Sequence, residues 1–142
     1  MIAVAILGIL SSIAVPSYQK YLQKTKEGAA ITDISNIAGK LKEIMLEDPS
    51  ALPPDLSHFG PILPLIDPWG NPYRYLPLYG IPGNLPQARR DHNLVPINSD
   101  FDLYSMGPDG LSVKPLTGGP SRDDIVRAND GAFIGKASTY DP

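Results

Sequence analysis

The first fifteen residues, MIAVAILGILSSIAV, carry no charge and are apolar or small all round a helix; the first charged side chain is Lys20. Further on the pattern changes. Ala30, Ile34, Ile37, Leu41 and Ile44 recur every three or four residues, while Lys26, Asp33, Lys40, Glu43 and Glu47 lie largely off that stripe. Such a period predicts an amphipathic helix that covers something on one side only. Between the two patterns stands Pro16, which is expected to break the backbone ladder locally and kink the helix rather than end it. Pro49 and Ala51-Leu52-Pro53-Pro54 stop it. A continuous helix from residue 1 to about 48 would be roughly 70 Å long against a ~30 Å small domain. Its first third must therefore protrude, as an insertion or assembly device.

The apolar run alone reaches about 22 Å, short of a ~30 Å hydrocarbon core. No basic stretch precedes it, which weakens the reading as a secretory signal peptide. A buried core helix would need partners on every face, which a chain of 142 residues can hardly supply. The abrupt start is what a sequence beginning inside a longer hydrophobic segment would show.

After residue 52 the chain changes character. Fourteen of the sixteen prolines lie there, and short alternating runs replace the helical period. Asp67-Pro68-Trp69-Gly70-Asn71-Pro72 is dense in turn residues and leads into Tyr73-Arg74-Tyr75-Leu76, which alternates like a strand. Asp100-Phe101-Asp102-Leu103-Tyr104 predicts a second strand, aspartates on one face and Phe101 and Leu103 turned to the helix. Gly107-Pro108-Asp109-Gly110 closes it with a tight turn. The absence of cysteine excludes disulfides, thiolate zinc sites and a cysteine nucleophile. His58 and His92 are the only histidines, and neither a phosphate loop nor a nucleophile elbow is visible, so catalysis is not expected. The net charge of −3 arises wholly after residue 50, and beyond Arg89-Arg90 no basic stripe exists, so no nucleic acid is expected as a partner.

Several residues admit two readings. Trp69 is a core anchor against the amphipathic helix or a surface contact between subunits. Asp123-Asp124 is a pair whose repulsion asks for solvent, a helix cap or a cation. Calcium takes six to eight oxygens from carboxylates and carbonyls of irregular loops, and the stretch Met106–Asp124 offers both; a solvated loop is the alternative. Arg89-Arg90-Asp91-His92 is a subunit-contact patch or a solvated loop with local Arg–Asp pairing. Asp100, Asp102 and Asp130 read as solvated.

MIAVAILGILSSIAVPSYQKYLQK resembles the N-terminal helix of class III signal-peptide proteins, the type IV pilins and type II secretion pseudopilins. These carry a short basic leader and a cleavage site followed by Phe-Thr-Leu-Ile-Glu, both absent here. Adding that segment would bring the apolar run to about 20 residues, enough to span a bilayer; the sequence is thus expected to be N-terminally incomplete. Asp67-Pro68-Trp69-Gly70 with Tyr73, Ser105-Met106-Gly107-Pro108-Asp109-Gly110 and Asp123-Asp124-Ile125 look like three ordered motifs of the major pseudopilin. Residues 78–99 look like an insertion, and the stretch from Asp109 to Asp123 is longer than the family pattern.

The resemblance implies an α+β, type IV pilin-like fold. A long kinked N-terminal helix packs on a small antiparallel sheet, followed by a Pro/Gly-rich calcium-binding C-terminal loop region. Residues 1–20 would be the transmembrane and filament-core helix, and residues 21–142 the globular domain. Calcium would take carboxylate oxygens from Asp109, Asp123 and Asp124 and main-chain carbonyls from Met106, Leu111 and Ser121. The function implied is a structural subunit polymerising into the type II secretion pseudopilus for protein export, and N-terminal methylation is implied with it. The alternatives are a pilin of a long surface filament for adhesion, motility or DNA uptake, and a non-polymerising membrane-anchored periplasmic binding module. Expected partners are further copies of the chain, the inner membrane before assembly, and minor pseudopilins with the secretion or pilus assembly machinery. The subunit would be a single-pass inner-membrane protein before assembly and a periplasmic or extracellular filament afterwards.

Overall fold

In a computed structural model, which describes residues 2–141, helix α1 runs Ile2–Glu47 with Pro16 inside it. Pro16 does not end the helix, as the sequence pattern predicts. The second half of α1 carries the expected stripe: Ala30, Ile34, Ile37 and Leu41 are fully buried, and Ile44 is half-buried. Lys26, Lys40, Glu43 and Glu47 face solvent. Asp33, half-buried at the edge of the stripe, accepts a hydrogen bond from the Tyr73 hydroxyl (2.8 Å).

Four antiparallel strands follow in chain order across the sheet: β1 (Arg74–Pro77), β2 (Phe101–Ser105), β3 (Ile125–Ala128) and β4 (Phe133–Lys136). β1 and β2 pair from Arg74 opposite Tyr104 to Pro77 opposite Phe101. β3 meets β2 at Tyr104–Val126 and Ser105–Ile125, and β4 at Ile125–Lys136 through Ala128–Phe133. The alternation of each strand sorts its side chains between two cores. On one face Tyr73, Phe101, Leu103 and Ile125 pack with the α1 stripe and with Leu56 and Phe59. On the other, Val126 and Ala128 pack with Ile97, Leu116 and Ala137. Burying each large aliphatic or aromatic side chain contributes about 1.5–3 kcal/mol.

The second core overturns the expectation that Asp100 and Asp102 are solvated. Residues 78–99 join β1 to β2, between strands as the sequence pattern predicts, and they fold back over the sheet face opposite the helix. Arg90 N–H donates to Lys114 O (3.2 Å) and Leu116 N–H to Arg90 O (2.9 Å), stitching the insertion to residues 114–116. β2 is therefore covered on both faces. Asp100 and Asp102, read as solvated, are 6% and 1% exposed, and Asp130 is half-buried. Trp69 is half-buried against the first core, its indole N–H donating to Gln23 of α1 (3.2 Å), which places it in the core-anchor role.

Candidate functional site

The turn motifs meet at the end of β2 where the chain enters the loop 106–124. Asp67 Oδ1 accepts the backbone N–H groups of Trp69 (3.0 Å) and Asn71 (2.8 Å), a side chain bonding its own turn. Its Oδ2 accepts the Ser105 hydroxyl (2.5 Å), and Ser105 Oγ in turn accepts Gly107 N–H (3.0 Å). Asn71 Nδ2 donates to Gly107 O (3.1 Å), so the two motifs hold each other. Gly107 sits at φ +66°, and a Cβ there would stand 2.6 Å from Asp123 O. Only glycine admits that close approach of the two loop limbs.

The insertion supplies what the sequence reading missed. Arg89, 4% exposed, is neither a surface patch nor a partner of Asp91. Its Nη2 donates to Asp124 Oδ2 (2.7 Å), its Nη1 to Ser112 Oγ, and its backbone N–H to Asp102 Oδ2 (2.6 Å). The guanidinium lies 4.1 Å from the centre of the Tyr104 ring. Ser112 Oγ donates to the same Asp124 oxygen (2.6 Å). Asp91 instead meets His92 Nδ1 (2.9 Å).

A second buried guanidinium continues the network. Arg127, 1% exposed, grips Asp100 with both terminal nitrogens (2.8 and 2.6 Å) and donates to Phe101 O (3.0 Å). Asn98 Nδ2 bridges Asp102 Oδ1 (2.9 Å) and Arg127 O (3.0 Å). Asp130 accepts Ser99 N–H (2.7 Å) and the Ser99 hydroxyl (2.8 Å). Burial dominates the electrostatics at Asp124: desolvation pushes its carboxyl up to about 6 against the lowering effect of Ser112 and Arg89, and Asp123 raises it further. Asp102 is likewise raised, chiefly by burial, despite its bonds to Arg89 and Asn98.

The expected calcium ligands are spread over this loop in different states. Asp109 is exposed and its Oδ1 accepts Leu111 N–H (2.8 Å), closing its own turn; Leu111 is 60% exposed. Met106 is half-buried, its sulfur accepting from Arg74 Nε (3.4 Å). Ser121 is fully buried; its carbonyl accepts Asp124 N–H (3.3 Å) and its hydroxyl bonds Val113 N–H and O (2.8 and 2.7 Å). Asp123 lies half-buried beside Gly107. Asp124 Oδ1 is buried without a hydrogen-bond partner, an oxygen that invites a cation. Yet its carboxylate already carries a guanidinium, and among the described residues no three acidic or histidine side chains converge on a point. The ligand set implied by the resemblance does not fit this arrangement.

No family model and no solved structure matches the chain. Type II secretion system core protein G of Pseudomonas aeruginosa is 31% identical over 129 residues, covering 78% of this chain and 79% of that protein. The chain belongs to the core protein G family of major pseudopilins. Two fimbrial proteins of Pseudomonas aeruginosa are 40% identical over 47 residues, covering 33% of this pseudopilin and 30% of each relative. The long helix and four-stranded antiparallel sheet of this chain are consistent with a type IV pilin-like fold. The relatives are structural proteins, and the site in this chain is a clasp of buried ion pairs.

Proposed function

We propose that this pseudopilin is the repeating subunit of a secretion pseudopilus, held in the inner membrane by residues 1–20 until it enters a helical filament of its own copies. One observation carries the reading. Among the described side chains of α1, Ile2, Val4, Ile6, Ile9, Leu10, Ile13 and Val15 are all more than half exposed, and burial against the domain begins well beyond them. Water disfavours such a surface by about 25 cal/mol per Å², so it needs a lipid or protein surround. The helix is long and apolar enough to cross a membrane. Lipid satisfies it before assembly, and the same helix of neighbouring subunits satisfies it afterwards. Minor pseudopilins and the secretion machinery are the further partners on this reading.

The test compares the full chain with one starting at Tyr21. The shorter chain is expected to be a soluble monomer by light scattering, while the full chain partitions into membrane or into filaments seen by electron microscopy of sheared material. A full chain that stays monomeric without detergent would overturn the proposal. The match to fimbrial proteins favours a second reading, a subunit of a long surface filament. Filaments extending beyond the outer membrane at native expression would select it.

A further inference from the structure

Asp124, one of the carboxylates through which the resemblance implies a calcium ion, is bonded to Arg89 instead, and the geometry points to a substitution: in this chain the guanidinium of Arg89, delivered by residues 78–99, ties down the loop 106–124 in place of a metal. A divalent cation in such a loop would do three things. It would neutralise buried carboxylate, draw separate limbs of the loop together, and fix their side chains. Arg89 does each of them. Its charge meets the carboxylate of Asp124, which is completely buried. Its two terminal nitrogens join Ser112 on one limb to Asp124 on the other. Its backbone amide binds Asp102 on the central strand β2, and its guanidinium rests on Tyr104 of that strand.

The guanidinium is also held from its own side. Arg89 O accepts Ile97 N–H (3.2 Å), and the neighbouring residue exchanges backbone bonds with Lys114 and Leu116. The cation is thus a built part of the fold, positioned by the stretch 78–99 that joins β1 to β2. The free Oδ1 of Asp124 does not restore a calcium site. An ion seated there would share its carboxylate with a fixed positive charge a few ångströms away, in a buried setting where repulsion is weakly screened. Asp109, which would have to join it, is exposed and engaged in its own turn.

The test uses the full chain in detergent micelles and reads thermal unfolding and protease cleavage between Gly107 and Asp130. With millimolar calcium and with excess chelator the midpoints should coincide and the cleavage patterns match. A filled calcium site would instead raise the midpoint by several degrees. Arg89→Met should lower the midpoint and open the loop to protease, because it leaves Asp124 buried without its partner. Arg89→Met with Asp124→Asn should recover much of that loss, because no bare charge remains. Arg89→Lys keeps the charge but not the fork, and should fall between wild type and Arg89→Met, so it decides the matter if Arg89→Met does not fold. A calcium-dependent midpoint in the unaltered chain, or an Arg89→Met or Arg89→Lys chain as stable as wild type, would overturn the inference.

Discussion

Asp124 loses more to burial than it recovers from its partners, which gives the chain an unusual acid response. Its folded value of about 6 lies above the ordinary 3.8, so the folded state holds the proton more tightly than the unfolded one. Stability contributed by this group therefore falls as pH rises from 3.8 towards about 6, and the cost is complete above that range. Urea unfolding should show greater stability near pH 5 than near pH 7, and Asp124→Asn should flatten that slope. Asp102, raised for the same first reason, acts in the same direction. At lower pH the exposed Asp48 and Asp55, held low by the Ser50 and Ser57 hydroxyls, act with the opposite sign. Asp100 behaves differently from what its sequence position suggests. Asp100→Ala removes both carboxylate bonds from the buried Arg127 head, leaving it only the Phe101 carbonyl and a long contact to Asn98, and should cost about 3–5 kcal/mol in the same urea assay. A loss below about 1 kcal/mol would mean that Arg127 finds other partners.

At the scale of elements, what the sequence made legible was whatever rests on local period. The α1 stripe has a 3.6-residue repeat, and β2 alternates with Phe101 and Leu103 inward; the structure contains both. The turn motifs were legible as turns because glycine, proline, asparagine and aspartate each impose a known backbone bias. Their mutual clasp through Ser105 and Asn71 was not, since it depends on where two turns 36 to 38 residues apart meet. The same limit explains the solvated reading of Asp100 and Asp102. An alternating strand implies one open face, and only the fold-back of residues 78–99 closes it. An arginine pair beside that strand was the visible signal. A guanidinium in a proline-rich insertion, facing an otherwise unpaired Asp-Asp, is a candidate for long-range pairing. The helix itself offers a direct check. Ile37→Ala in the buried stripe should cost about 2–5 kcal/mol of domain stability. Ile9→Ala, at a site 63% exposed, should leave the unfolding midpoint unchanged and weaken filament assembly instead.

For the whole molecule, the division of labour along α1 sets what must happen on assembly. Its second half is fixed to the sheet by the first core, by Lys136 reaching Glu27 (3.2 Å) and by Lys42 reaching Asp130 O (2.6 Å). Among the described residues its first half is exposed, with Ile2, Val4, Ile6, Ile9, Leu10, Ile13 and Val15 turned away from the domain, so its conformation can follow its neighbours. Within that half the ladder is weakest between Gly8 and Pro16. Proline lacks the N–H that would bond Ser12 O, and Gly8, Ser11 and Ser12 lower helix preference. Hydroxyls already compete for the carbonyls there: Ser12 Oγ donates to Ile9 O (2.7 Å) and Ser17 Oγ to Ile13 O (3.0 Å). When many such helices are packed side by side, opening this stretch lengthens the apolar half at a small cost, with serine hydroxyls available for freed carbonyls. We therefore expect the helix to be continuous in the isolated subunit and unwound between Gly8 and Pro16 in the filament. A filament map with regular helix through that stretch would reject this, while Pro16→Ala should shift the filament towards the straight form and change its helical rise.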